Sequence, residues 1–403
     1  MATGKRAVIV GSSFAGYTAA LDLRKRLDPQ HEVLVIDARD HFTFIPSLVW
    51  LPFGIRQAKD VTFKLAPVYE KHGITFRNGT VDAIDTDRKV LTVDGADEIA
   101  YDVLLVATGP RLAFEKIPGL GPETGYTQSV CNLDHALATR VAWQRFLADP
   151  GPVVIGAGQG ASCFGASYEF MLNTRYRIEK AGLSDVAPVT FITAEPFVGH
   201  FGLGGVKDSG PRMERYLEKL GVEGLPNTVI KEVRDGEMEL DGGRVLPFKF
   251  SMIIPPFGGV AAVTQAEGLA NPAGFIPVDD RFHHPEIDSV YAAGVCIAIA
   301  PPEPTPVPAG VPKTGHMSEG MGKVAAANMA AEIQGGEGKF LPLGDLEAMC
   351  ILDAGNGGFI FKADHILSGP RHPRVSAGPH AHVAKVAFER FWMSTRRRGK
   401  VLL

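Results

Sequence analysis

The sequence predicts an α/β protein with two Rossmann-like nucleotide-binding units, the first of them split along the chain, and a C-terminal segment of different character. Two observations carry this. The order apolar strand, glycine-rich turn, helix occurs twice, around Gly11 and around Gly156, and another apolar strand ending in a glycine, Gly294, lies well beyond the second unit. With 403 residues, 45% of them hydrophobic, the chain is long and apolar enough to bury more than one core.

The first unit opens with "RAVIVGSSFAGYTAALDLRKRL", which reads as a buried strand, a Gly11-x-Ser13-x-x-Gly16 turn and an amphipathic helix. "HEVLVIDARD" is the next strand and ends in Asp37, 26 residues after Gly11. Gly11 makes the tight turn, Gly16 lets helix pack on strand, and Asp37 can accept from both hydroxyls of a ribose. Ser13 departs from the pattern at the middle glycine. "NGTVDAIDTDRKVLTV" reads as hairpin strands, and "YDVLLVATGP" as a buried strand running into Ala107-Thr108-Gly109.

The second unit carries Gly156, Gly158 and Ala161 in its turn, and its next strand, "VTFITAEPF", ends near Glu195, where a ribose acid would stand. Taken alone, this unit predicts an NADH dehydrogenase. Its turn also holds a thiol, Cys163, early in the helix. A free cysteine is commonly just buried packing. Converging backbone N–H groups and the positive helix end would instead lower its pKa and favour thiolate. Cys350 lies in "EAMCILDAGNGGFIF", an apolar strand entering a glycine-rich turn that reads as a hairpin, and Cys131 precedes a helix capped by Asn132 or Asp134.

Charge and cysteine usage narrow the function. A net charge of −4 gives no basic excess of the kind nucleic-acid binders carry. Four cysteines without a CxxC imply neither a zinc site nor a disulfide framework. The N-terminus reads as mature sequence without a cleavable signal, because Asp22, Arg24, Lys25 and Arg26 follow its apolar stretch with no small-residue cleavage site. No run approaches the ~18 apolar residues that span a bilayer. Near the C-terminus, Ala384, Phe388, Phe391, Trp392 and Thr395 recur at helical spacing beside Lys385, Arg390, Arg396, Arg397, Arg398 and Lys400, with Glu389 as the one acid. That pattern suits a helix lying in a membrane interface, with a domain-covering helix and a solvated basic tail as the alternative.

The Ala107-Thr108-Gly109 turn and the strand "SVYAAGVC" resemble the two FAD segments of the flavoprotein disulfide reductase superfamily. The resemblance implies FAD as cofactor, held by Gly11, Ser13, Phe14, Ala15, Gly16, Asp37, Ala38, Arg39, Ser47, Val81, Ala107, Thr108, Gly109, Gly294, Val295, Lys313, Thr314 and Gly315. Val295 departs from it, since most relatives have aspartate there. The implied domains are 1–115 with 271–345 for FAD, 116–270 for the second Rossmann-like unit, and 346–403 for a C-terminal hairpin and membrane-anchoring helix.

"SVCNLDHA", "GQGASCFGASYEF", "EPFVGHFGLGG", "VPKTGHMSEGMG" and "CILDAGNGGFIF" together resemble the sulfide:quinone oxidoreductases of the bacterial three-cysteine kind, over essentially the whole chain. The resemblance implies that Cys163 and Cys350 form a sulfur-bridged redox pair at the flavin, with Cys131 as the third cysteine passing on or holding the sulfur chain. Glu169 becomes a proton-moving acid, and His135 and His200 lie on the sulfide or proton path. Lys313 approaches the flavin or the quinone carbonyl, and Pro46, Gly322, Phe359, Phe388 and Phe391 line the quinone. Cys296 matches no catalytic position and is expected to pack. Sulfide would thus become polysulfide or sulfur while a membrane quinone of ubiquinone or menaquinone type is reduced, by a monotopic and oligomeric enzyme on the cell membrane. A type II NADH:quinone dehydrogenase and the flavoprotein subunit of a flavocytochrome c-type sulfide dehydrogenase are the alternatives, and no metal is expected.

Overall fold

The computed structural model describes residues 4–367 and 373–401; Met1–Thr3, 368–372 and 402–403, within the first and last expected regions, lie outside the described residues. Five parallel strands form the first sheet in the order Val290–Ala292, Val103–Val106, Arg6–Val10, Glu32–Asp37, Thr75–Asn78. The strand before Gly294 therefore joins the N-terminal sheet across nearly two hundred residues of intervening chain. These strands are apolar on both faces, as a parallel sheet covered by helices requires. Helices Phe14–Arg26 and Gly315–Gln334 cross closely on it: a Cβ on Gly322 would lie 2.4 Å from the carbonyl oxygen of Ala15. The glycine Gly322 is thus a packing requirement of that crossing.

The second sheet is also parallel, in the order Val222–Leu225, Val189–Thr193, Val153–Ala157, Phe250–Ile254, and helix Phe164–Lys180 packs on it. Val81–Asp85 and Val90–Val93 form the expected hairpin. Asn132 caps helix Leu133–Ala148 by accepting from the His135 N–H at 2.8 Å. The Cys350 segment is a hairpin, Ala348–Asp353 against Gly358–Ala363, with Arg374–Ala377 as its third strand.

The C-terminal helix, Pro379–Arg396, departs from an interfacial stripe flanked by solvated cations. Trp392 is buried among Phe14, Phe42 and Phe44, with ring centroids 4.8–5.2 Å apart. Lys385 and Arg396, read as surface cations, are buried in ion pairs with Glu169 and Glu319, and Glu389 pairs with Arg56 at 2.7 Å. Phe388 is half-buried, 6.2 Å from Phe44. Only the outer face is apolar and open, where Val383 and Phe391 are 64% and 57% exposed with Ala387 between them. The reason is that acids far away in sequence draw the cations inward, which helical periodicity does not encode.

Candidate active site

Three turns meet at one edge of the first sheet. They follow adjacent parallel strands at their C-terminal ends, where α/β sheets bind nucleotides. Gly11 has φ +95° and no room for a side chain, since a Cβ there would lie 2.4 Å from the Ala107 oxygen. The missing Cβ of Gly294, φ +88°, faces Ala15 at 3.2 Å. Asp37 accepts from the N–H groups of Ser12 and Arg39 at 2.5 and 2.8 Å, which fixes its carboxylate at the turn. Phe14, Ala15 and Gly16 open the helix, Ser13 is its N-cap, and Ala38 follows Asp37. The glycine-lined edge fits a dinucleotide. Thr314 caps helix Gly315–Gln334 opposite it, and the ring of Phe14 lies against Gly315.

Other expected cofactor positions are engaged within the protein. Ser47 is fully buried, its hydroxyl donating to Glu389 of the C-terminal helix, so it is not free for a cofactor. Lys313 donates to the Ile297 oxygen at 2.8 Å and lies over the Phe275 ring, and burial lowers its pKa to about 8. Val81 begins a hairpin strand, and Val295 is half-buried. Cys296 is packing, as expected: its thiol donates to the Val106 and Ala293 oxygens at 3.3 Å, and burial pushes its pKa to about 11.

The three remaining cysteines are free, half-buried, and packed against one apolar cluster that includes Val130 and Phe164. Cys163 is the N-cap of helix Phe164–Lys180. The hairpin brings Cys350 to the same turn of helix, because a Cβ on Gly165 would lie 3.3 Å from Cys350 Sγ. Cys131 lies close enough to feel the charge of Cys163. The expected low-pKa thiolate is not what the helix end produces. Burial pushes Cys163 above the ordinary thiol value, the neighbouring Glu169 adds to this, and the Ala166 N–H offsets only part. Burial also drives Cys131 and Cys350 up to about 12. A thiolate in this apolar setting loses more hydration than the helix end returns.

Glu169 is buried and its pKa is raised to about 7 by burial, against the opposing pull of Lys385, whose ammonium donates to it. The neighbouring Asp353 accepts from Trp50 Nε1 and pairs with His382 Nδ1, both at 2.8 Å. The sequence reading missed Asp353 and His382 and took Lys385 for a surface cation; helical spacing of His382 and Lys385 was the available signal. His135 pairs with Glu123 at 2.6 Å, and His200, buried, accepts from the Gly202 N–H and faces Glu303 at 3.5 Å, its pKa lowered by burial. Pro46 lies in the short helix Ile45–Trp50.

The second nucleotide turn is closed. Gly160 N–H donates to Pro308 O and Gly310 N–H to Ala161 O, so segment 308–310 lies on the turn, and a Cβ on Gly310 would lie 2.7 Å from Ser162 Cβ. Glu195, expected as a ribose acid, is instead fully buried, accepting from Tyr168 Oη, Thr193 Oγ1 and the Phe201 N–H. Burial raises its pKa to about 7. Because the folded pKa lies above the unfolded value, Glu195 favours folding below pH ~4.5 and loses that contribution as pH rises through 7. Glu195→Gln, whose Oε1 can still accept from the Phe201 N–H while its amide N–H groups donate to the two rotated hydroxyls, should remove up to roughly 3 kcal/mol of the stability lost between pH 4.5 and 8. Thermal melts of both proteins across that range measure it; an unchanged pH dependence would show that Glu195 is not the group responsible.

Sheet, turns and cysteines define a flavoprotein-type oxidoreductase with two Rossmann-like units, and the chain belongs to the pyridine nucleotide-disulphide oxidoreductase family, whose sequence profile matches residues 5–330. Within it the chain falls with the sulfide-quinone reductases. It is 36% identical over 403 aligned positions to the sulfide-quinone reductase of Aquifex aeolicus, covering 98% of this chain and 92% of that one. The X-ray structure of the Aquifex aeolicus sulfide:quinone oxidoreductase matches with a TM-score of 0.94 at 35% identity, over 98% and 92% of the two chains. NDH2 of Plasmodium falciparum, at 14% identity, a TM-score of 0.71 and 99–100% coverage, shares the fold alone.

Proposed function

We propose that the chain is an FAD-dependent sulfide:quinone oxidoreductase, oxidising sulfide at Cys163 and Cys350 to polysulfide or sulfur and reducing a membrane quinone. The carrying observation is the convergence of Cys350, from the C-terminal hairpin, on the helix turn headed by Cys163. Supporting it are the glycine-lined first nucleotide edge, which fits FAD, and the closed second one, which disfavours NADH.

With all three thiols held above neutrality, the attacking nucleophile is sulfide itself. HS⁻ attacks a sulfur bridging Cys163 and Cys350, forms one S–S bond and breaks another, and one cysteine leaves as thiolate. Re-joining that thiolate to the new persulfide sulfur would restore the bridge and release a proton and two electrons, which bound flavin would accept for the quinone. Glu169, titrating near 7 beside the cysteines, is suited to take the proton that sulfide brings. The nearness of Cys131 to Cys163 supports a role in holding the lengthening sulfur chain.

Anaerobic mixing tests the reading: sulfide should bleach the flavin of purified protein within seconds and NADH should not. Rapid bleaching by NADH with indifference to sulfide would overturn it.

Among the described residues no helix is long and apolar enough to cross a membrane. We propose monotopic attachment through the outer face of the C-terminal helix, Val383, Ala387 and Phe391, flanked by the cations Lys59, Arg390 and Arg397. Val383→Asp with Phe391→Asp should weaken liposome binding by roughly 100-fold, given ~1.5–3 kcal/mol per buried large apolar side chain. Both positions are exposed, so melting should be unchanged. Flotation of the variant with liposomes at wild-type yield would place the contact elsewhere.

A further inference from the structure

The two faces of the Cys350 hairpin have different neighbours. Side chains alternate along Ala348–Asp353, and Asp353 on one side meets Trp50 and His382. Cys350 and Leu352 point the other way, against Gly165. Antiparallel register extends that second face: Phe361 lies opposite Cys350 and Phe359 opposite Leu352, with Val375 and Ala377 continuing it on the third strand.

This face runs into an open cleft of about 290 Å³. Its other wall is helix Ser209–Leu220, which supplies Met213 and Tyr216 as floor and Arg212, Arg215 and Lys219 as rim. Tyr216 meets Phe359 edge-on at 4.9 Å, and Phe361 meets Phe201 at 5.0 Å. Phe359, expected at the quinone, therefore lies on the Cys350 side of the hairpin. Arg212 pairs with Asp208 at 3.8 Å, whereas Arg215 and Lys219 have no carboxylate partner among the described residues.

An aromatic and thioether floor beneath unpaired cations matches a ligand with a soft, weakly hydrated body and an anionic end. A growing sulfur chain has that chemistry. We infer that this cleft is the holding and exit groove for anionic polysulfide produced at Cys163 and Cys350. The assignment rests on the sulfide-oxidising reading and adds no chemical step: the chain is built at the cysteines, and the cleft holds and releases it.

Two variants at exposed positions test it, Arg215→Glu with Lys219→Glu to reverse the rim and Ala377→Trp to obstruct the mouth. Flavin absorbance and melting temperature check that both fold. Sulfide should bleach the flavin in the first turnover at the wild-type rate. The share of product chains longer than trisulfide, measured by alkylation and mass spectrometry, should fall roughly three- to tenfold, the scale of a few exposed charge contacts. Wild-type product distributions in both variants would overturn the groove while leaving sulfide oxidation intact. A defect that follows the chain length of the quinone and spares the sulfur product would assign the cleft to the acceptor and also overturn it. A wild-type protein whose flavin ignores sulfide would remove the sulfide-oxidising reading itself, and the groove with it.

Discussion

Cys350→Ser is expected to lower sulfide-dependent quinone reduction by roughly 10³-fold or more, the scale of losing a covalent nucleophile, while the protein still purifies with its flavin. The hairpin is held by strand pairing and by packing on helix Phe164–Lys180, and none of that needs the sulfur. Cys163→Ser should behave alike. Serine is a good N-cap, and its hydroxyl can accept from the Ala166 N–H that faces the Cys163 thiol. Cys296→Ser should retain at least about half of the activity, because a hydroxyl can donate to the Val106 and Ala293 oxygens as the thiol does. Steady-state assays with sulfide and a short-chain quinone, together with flavin content, decide the matter. Wild-type turnover by Cys350→Ser would end the two-cysteine mechanism.

Removing the chain from His382 onward should yield insoluble or unfolded protein, beyond any loss of membrane attachment. The truncation takes away Lys385, Glu389 and Arg396, and leaves Glu169, Arg56 and Glu319 without their ion-pair partners. Stripping one partner from a buried pair costs about 3–5 kcal/mol, so the pairs at Glu169 and Glu319 together already approach the stability of a domain. Arg396→Met isolates one of them. Its guanidinium contacts Glu319 Oε1 through Nε and Nη2 at 3.0 and 2.6 Å, and both side chains are at most 3% exposed. The single variant should melt well below wild type, and adding Glu319→Gln should recover much of the loss, since the stranded charge is then gone. An Arg396→Met protein that melts with wild type would mean the pair is energetically idle.

Much of the fold was legible because its signals are local. Gly16 is required by the Gly11 oxygen within its own strand–turn–helix unit, Gly11 by its positive φ in the turn, and Asp37 closes the same unit. The Cys350 hairpin announces itself through an apolar strand, a glycine-rich turn and a second apolar strand, and the N-cap at Asn132 is a property of four consecutive residues. The C-terminal stripe shows where this fails. Periodicity correctly gave a helix, but it could not say which side faces the core, since the side bearing Lys385, Glu389 and Arg396 is no more apolar than the outer one.

By itself, then, the sequence determined two strand–glycine–helix units, the hairpin that carries Cys350, and a resemblance that placed the cysteines in one reaction. Only the tertiary structure decided what surrounds them. It closed the second nucleotide turn with segment 308–310, buried Glu195 away from any ribose, turned two surface-seeming cations toward Glu169 and Glu319, and raised the thiols that a helix end alone would lower. The physical reason is common to all four. Local geometry follows from backbone sterics and side-chain periodicity over a few residues, whereas the protonation and pairing of a charge depend on how much water its surroundings exclude, and those surroundings arrive from segments as far as 216 residues away.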